Sequence, residues 1–316
     1  MTAVYGMEEI RRAADGLDVL PLIEEGFVAY SEGKCVVPPV GELIFEEPPG
    51  DVHIKYGYIR GDDVYVIKIA SGFPDNRKHG RPSGDGLMLV FDSRTGGLIS
   101  ILQDRGYLTD LRTAAAGAVA ACCLAPRKVR AIGVFGAGVQ GRMQVEALMP
   151  VIDCREVVVW GMDDKELEAY KRDMERKGLR VRTTRAAEDI GRSCNLIVTA
   201  TPSREPLLFL NQIQPGTHIT AVGADTADKQ ELDPAIAAAA DICVVDSLPQ
   251  SRLRGEVYRA QQAGVLKEGR AVELGRVISD PSLRRRNDRQ LTLADLTGVA
   301  VQDIQIAKAV TNALRR

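Results

Sequence analysis

The chain has 316 residues, which at about 150 residues per domain predicts two domains. Hydrophobic residues make up 45% and charged residues 27%, the balance of a soluble globular protein. Lysine plus arginine number 41 against 43 acidic residues, and aromatics are 5%, so neither the basic surplus nor the stacking platform of a nucleic-acid binder is present.

From the N-terminus, residues 7–15 and 21–32 read as helices. In the second, Leu20, Ile23, Phe27 and Tyr30 recur at helical spacing, and Pro21 suits the first helical position. Pro38-Pro39 and Pro48-Pro49-Gly50 mark turns. Residues 42–45, 52–59, 64–70, 87–92 and 98–103 read as strands, with tight turns at Gly61-Asp62 and Gly96-Gly97, so this block is a mostly antiparallel β region with helices attached. Residues 109–124 form an Ala-rich helix with Thr109 or Asp110 as N-cap, ended by Pro126. It carries Cys122 and Cys123, read as small buried hydrophobes. None of the six cysteines makes a C-x-x-C pair, and His53, His79 and His218 are far apart, so no metal is expected.

From residue 129 to about 250, strands alternate with helices. The strands read as 129–135, 156–160, 179–184, 195–200, 218–222 and 242–246, and the pattern predicts a parallel sheet covered on both faces. Residues 279–290, with Arg284-Arg285-Arg286, read as a solvated polar loop. In the tail, Leu293, Leu296, Val299, Ala300 and Ile304 suggest a helix starting near Thr297 or Gly298. The N-terminus lacks a signal-peptide pattern and no apolar run reaches 18 residues, so a cytoplasmic protein with no membrane partner is expected.

Gly136-Ala137-Gly138-Val139-Gln140-Gly141 is the most informative short motif. It follows an apolar strand and opens a helix over residues 142–149, the setting of a dinucleotide-binding turn. Gly136 would make the turn, Gly138 would admit the pyrophosphate and Gly141 would let helix and strand pack. The helix N-terminus would offer free N–H groups to the phosphates. The next strand ends at Asp163, which can accept from ribose hydroxyls or cap the following helix, or both. No arginine follows to receive a 2′-phosphate, which favours NAD(H) over NADP(H).

Five segments in order resemble the ornithine cyclodeaminase/μ-crystallin family. They are Leu108-Thr109-Asp110-Leu111-Arg112-Thr113-Ala114-Ala115, the glycine loop with Gln140, Val198-Thr199-Ala200-Thr201-Pro202-Ser203, Val222-Gly223-Ala224-Asp225 running on to Lys229-Gln230-Glu231-Leu232, and Thr297-Gly298-Val299-Ala300-Val301-Gln302-Asp303. The resemblance implies an α/β fold. A Rossmann-type doubly wound parallel sheet over residues 121–296 would accompany a discontinuous α+β domain, residues 1–120 plus 297–316, for substrate binding and dimerisation. It also implies a homodimer, and hydride transfer between a nicotinamide and Cα of a small amino or imino acid. Cyclodeamination, cyclic ketimine reduction and amino-acid dehydrogenation all fit, and a non-catalytic ligand-binding protein is the alternative.

By the same resemblance, Arg112 binds the substrate carboxylate, and a guanidinium suits that role as a bidentate fork. Lys68, a lysine among apolar strand residues, matches the active-site lysine; its other reading is an outward-facing strand residue. Asp225 matches the catalytic aspartate, with a helix cap as its plainer reading. Thr113, Thr201, Val222, Thr297 and Gly298 would line the cofactor. The chain departs from the pattern after Pro38-Pro39, where many members carry a further arginine and this chain has Val40-Gly41-Glu42. His53 and Lys55 share a strand face there, and Lys55 reads either as a replacement for the missing cation or as a solvated strand lysine.

Overall fold

The structure, a computed structural model, describes residues 2–316, without the side chain of Arg77. The chain divides into two compact units, Met1–Arg112 with Val299–Arg316, and Thr113–Gly298. The sequence reading placed these divisions at 120/121 and 296/297.

The first unit holds β1 (Ala3–Tyr5), α1 (Met7–Asp15), α2 (Val19–Ser31), β2 (Cys35–Val36), β3 (Gly41–Phe45), β4 (Gly50–Ile59), β5 (Val64–Gly72), β6 (Gly84–Asp92) and β7 (Leu98–Leu102). The strands form one sheet in the order β1-β7-β6-β5-β4-β2, with β3 also on β4. Its pairs are antiparallel except β1 with β7. Period-two alternation sends Lys55, Gly57, Val66, Lys68, Met88, Val90, Ser100 and Leu102 into the interior. The C-terminal helix (Ala300–Leu314) packs against this sheet and α2. Gly26 of α2 permits the approach, because a Cβ there would sit 3.0 Å from Gln305 Cγ. Pro21 stands at the third position of α2, not the first, since the helix starts at Val19.

Helix α3 (Tyr107–Leu124) starts before Thr109 and Asp110, so neither caps it. Asp104 does: its Oδ2 accepts from Leu108 N–H at 2.8 Å. Cys123 is buried on this helix but Cys122 is exposed, which corrects the reading of both as buried.

The second unit holds β8 (Ile132–Phe135), α4 (Val139–Leu148), β9 (Glu156–Trp160), α5 (Asp164–Glu175), β10 (Arg180–Thr184), α6 (Ala187–Ser193), β11 (Leu196–Thr199), β12 (His218–Ala221), α7 (Pro234–Ala239), β13 (Ile242–Val245), α8 (Glu256–Gln262), β14 (Ala271–Glu273), α9 (Leu274–Ser279) and β15 (Thr292–Asp295). The sheet is parallel throughout, in the order β10-β9-β8-β11-β12-β15-β13-β14. Alternate residues feed two cores: Ile132, Val134, Val157, Val159, Leu196 and Val198 face one, while Phe135, Val158 and Ile197 face the other. Strand order reverses between β8 and β11, the switch point where such sheets bind ligands beyond their carboxyl ends.

Residues 292–295 form strand β15 between β12 and β13, where the sequence suggested the approach to a helix. Leu291 and Leu293 fit a strand period and Leu293 and Leu296 a helical one, so periodicity alone could not separate them. The arginine triplet also departs from expectation. Arg285 is partly buried and donates to the carbonyls of Leu124, Gln290 and Thr217 and to Thr292 Oγ1. Arg284 donates to Val277 and Ile278 carbonyls at the end of α9, where helix carbonyls lack partners. Most of the loop is exposed, as the sequence suggests, but Arg284 and Arg285 turn inward and staple neighbouring segments. Among the described residues, no helix is long and apolar enough to cross a membrane.

Candidate active site

Three of the residues singled out by sequence meet in the first unit. β4 and β5 pair with Lys55 directly opposite Lys68, which sets both side chains on the interior face. Arg112 comes from the first half of α3, and Asp303 from the first turn of the C-terminal helix, where an acid suits the helix dipole. All four are buried. Arg112 Nε donates to Asp303 Oδ1 at 3.0 Å and Nη1 to Gln302 Oε1 at 3.0 Å. Lys68 Nζ lies 3.6 Å from Asp303 Oδ2. Arg112 Nη2 makes no hydrogen bond among the described residues, so the guanidinium keeps donors for an incoming acceptor. Burial opposes ionisation of Asp303, but Arg112, Lys68 and Lys55 together hold its carboxyl below the ordinary range. His53 sits 3.3 Å from Glu42 and 3.5 Å from Asp51 and is not part of the cluster.

Asp303 was missed as a site residue by the sequence reading, though it closes a quoted motif. Its signal was the pair Gln302-Asp303 inside an otherwise apolar helical stripe, since buried acids are rare without a cation.

In the second unit, the glycine loop joins β8 to α4 at the switch point. Gly136 has φ 106°, and a Cβ there would meet the Ala200 carbonyl at 2.7 Å. At Gly141 a Cβ would lie 2.0 Å from Gly136 O, so helix and turn could not close. A Cβ on Gly138 would meet nothing within 4 Å, and this residue caps α4 with Val139 exposed beside it. Open space over a glycine at a helix N-terminus fits a dinucleotide phosphate. Gln140 lies on the first turn of α4, and Thr113 O accepts from Gln144 Nε2 at 2.9 Å. Asp163 caps α5, its Oδ1 accepting from Glu166 N–H at 2.9 Å, which leaves the ribose reading open beside it.

Buried carboxylates hold the segments that leave the other strand ends. Asp246, just after β13, accepts from Gly298 N–H at 2.6 Å and Thr297 Oγ1 at 3.2 Å. Asp295, the last residue of β15, accepts from Val257 N–H at 2.8 Å. Glu256 accepts from Glu231 N–H at 2.7 Å. Val222 N–H donates to Thr199 O at 2.9 Å and continues the β11–β12 ladder. Asp225 is not a helix cap, because the chain from Gly223 to Leu232 contains no helix. Its Oδ1 accepts from Lys229 Nζ at 2.6 Å, and its carbonyl accepts from Arg254 Nη1 at 3.1 Å. The roles of Asp246, Glu256 and Asp295 carry no sequence motif, because the carboxylates are scattered along the chain and only the sheet order collects them.

The family model described as Ornithine cyclodeaminase/mu-crystallin family matches residues 2–316. The chain belongs to this family. Within it, a protein of Sinorhizobium fredii named as an uncharacterized cyclodeaminase is 40% identical over 92% of this chain and 89% of its own length. The structure of an archaeal alanine dehydrogenase dimer with bound NAD superposes with a TM-score of 0.90 at 33% identity, over 99% of this chain and 95% of that one. Thermococcus litoralis Δ1-pyrroline-2-carboxylate reductase, solved with NADH and L-proline, gives 0.92 at 27% identity over 99% and 97%. Like these members of the cyclodeaminase/μ-crystallin family, the chain has the mixed α/β architecture with a parallel sheet.

Proposed function

We propose that this protein transfers a hydride between NAD(H) and the Cα of a small α-amino acid or its imine. The observation that carries this reading is the buried guanidinium of Arg112, aligned by Asp303 and Gln302, with Lys68 and Lys55 beside the same carboxylate. A substrate carboxylate takes the remaining donors of Arg112 as a charge-assisted fork. Lys68 and Lys55 add charge to that grip, and Lys55 serves in place of the arginine missing after Pro38-Pro39. Asp225, whose Oδ1 accepts from Lys229 Nζ at 2.6 Å, handles the proton on the substrate nitrogen.

Gly136, Gly138, Val139, Gln140 and Gly141 hold the cofactor pyrophosphate, Asp163 the ribose, and Thr113, Thr201, Val222, Thr297 and Gly298 the remaining contacts. Bound there, the nicotinamide supplies or accepts the hydride at its C4. The NAD and NADH held by the alanine dehydrogenase and the pyrroline-2-carboxylate reductase support NAD(H), as does Asp163 without a following arginine.

A homodimer is part of the proposal. The sheet face opposite Lys55 and Lys68 carries Leu43, Phe45, Tyr56 and Tyr58, all exposed, beside half-buried Tyr65, Ile67, Leu89 and Phe91. An apolar sheet face of this kind calls for a cover, and the dimeric alanine dehydrogenase supports a second copy as that cover.

The reaction is tested by three incubations. NADH with pyrroline-2-carboxylate tests reduction, alanine with NAD⁺ tests dehydrogenation, and ornithine with catalytic NAD⁺ tests cyclodeamination. We expect turnover in one of the three, read as NADH change or as ammonia with proline. Tight NADH binding with no turnover in any would overturn the enzymatic reading.

A further inference from the structure

Glu231 is fully buried, and both of its oxygens are used. Oε1 accepts from Thr201 N–H at 2.6 Å and from Thr201 Oγ1 at 2.7 Å. Oε2 accepts from Thr199 Oγ1 at 2.7 Å and from Gly223 N–H at 2.9 Å. These donors come from two segments only. Thr199 ends β11 and Thr201 begins the loop beyond it, while Gly223 follows β12 and stands two residues before Asp225. β11 and β12 are parallel neighbours, so one carboxylate ties together the loops that leave their carboxyl ends. The fit excludes other residues at 223: a Cβ there would meet Thr201 O at 2.3 Å and Glu231 Oε2 at 2.5 Å. Glu231 is itself anchored from behind, since its N–H and that of Leu232 donate to the Glu256 carboxylate at 2.7 and 3.2 Å.

We infer that Glu231 is a positioning residue of the active site, fixing the Thr201 cofactor loop and the Asp225 segment at one set distance from each other. The inference rests on the proposed roles of Thr201 and Asp225. Burying a carboxylate is costly, and a well-packed apolar side chain would usually stabilise a fold as well or better. Fold stability alone is therefore a weak reason for a glutamate here. What an apolar residue could not do is receive donors from both loops at once. Burial pushes the Glu231 carboxyl up to about 6, against the pull of these same donors, which favour its ionised form.

The test uses the full-length protein with Glu231→Gln, which keeps shape and turns one acceptor into a donor facing donors. NADH affinity, read by fluorescence titration, should fall by about tenfold, the effect of losing one to two buried hydrogen bonds. kcat should fall in parallel, while KM for the amino or imino acid, set by Arg112 and Lys68, should hold. The decisive readout is the coupling with Asp225→Asn. If Glu231 acts through the placement of Asp225, adding Glu231→Gln to Asp225→Asn should lower kcat by less than about threefold, because residues acting as a unit are not additive. Full multiplicative loss, or an unchanged NADH affinity in Glu231→Gln, would overturn the inference. Should Glu231→Gln fail to fold, Thr199→Val removes one donor with a residue suited to a buried strand, and should weaken NADH by roughly the worth of one hydrogen bond, about threefold; no change would overturn the inference. If wild type binds NADH but turns over no substrate, the hydride reading fails by itself, and the affinity of Glu231→Gln still decides whether Glu231 holds the cofactor loop.

Discussion

At the scale of single residues, the site is organised around buried charge. Asp303 is ionised because Arg112, Lys68 and Lys55 offset its burial, and in turn it fixes the rotamer of Arg112 through a 3.0 Å bond to Nε. The sequence made Arg112 and Lys68 visible through a motif and an out-of-place lysine. Lys55 was visible only through alternation with its neighbours, and Asp303 not as a site residue, since pairing across 191 positions is a tertiary fact. Lys55 gives the most direct prediction here. Lys55→Ala should raise substrate KM by about tenfold, roughly 1.4 kcal/mol, with little change in NADH affinity. Steady-state kinetics at varied substrate checks it, and an unchanged KM would remove Lys55 from the carboxylate grip.

At the scale of elements, strands and helices with one clear period were legible: β4 through β7, β8 with α4, and β9 all fall close to where alternation and apolar runs put them. β15 was not, because its four residues sit inside a run of leucines that satisfies both periods. The α3 cap was also missed, since Asp104 precedes the helix by three positions and bonds into it through a turn with Arg105 at φ 50°. The carboxylates at the strand ends give a pH prediction. Burial pushes Asp295 up to about 7, with Asp246 and Glu231 adding repulsion, against bonds from Val257 and Glu256 N–H that lower it. Glu256 is raised as well, by burial first and then by Asp295 and Glu231. A folded-state pKa above the unfolded value means the native state holds more protons through that window. The contribution of Asp295 to stability should therefore fall as pH rises from about 3.8 to about 7 and level off above it. Asp295→Asn keeps an acceptor for Val257 N–H and removes the titration, so its stability curve across that window should be flatter than that of wild type. Denaturant titrations at several pH values measure this, and parallel curves for the two proteins would contradict it.

At the scale of the whole molecule, the two-unit organisation follows from the chain's return: residues 299–316 join the first unit after the parallel sheet is complete. The family resemblance implied that return and breaks in sequence texture agreed with it, but the partner surface was beyond reach, because which face of the first sheet is left open depends on where the C-terminal helix packs. That face gives the assembly prediction. Wild type should run in light scattering at twice 34.3 kDa, and Ile67→Glu, which puts a charge at its centre, should run as a monomer. A wild-type monomer, or a variant that still dimerises, would refute the assignment of the face. Hydrogen moving between the nicotinamide C4 and Cα is read directly by isotope transfer. The protein is incubated with C4-deuterated NADH and either pyrroline-2-carboxylate or pyruvate with ammonia, and the amino-acid product is analysed by mass spectrometry. Deuterium is expected at Cα with wild type and its loss with Arg112→Ala; product amino acid without the label, or no product from a protein that binds NADH, would refute hydride transfer to Cα.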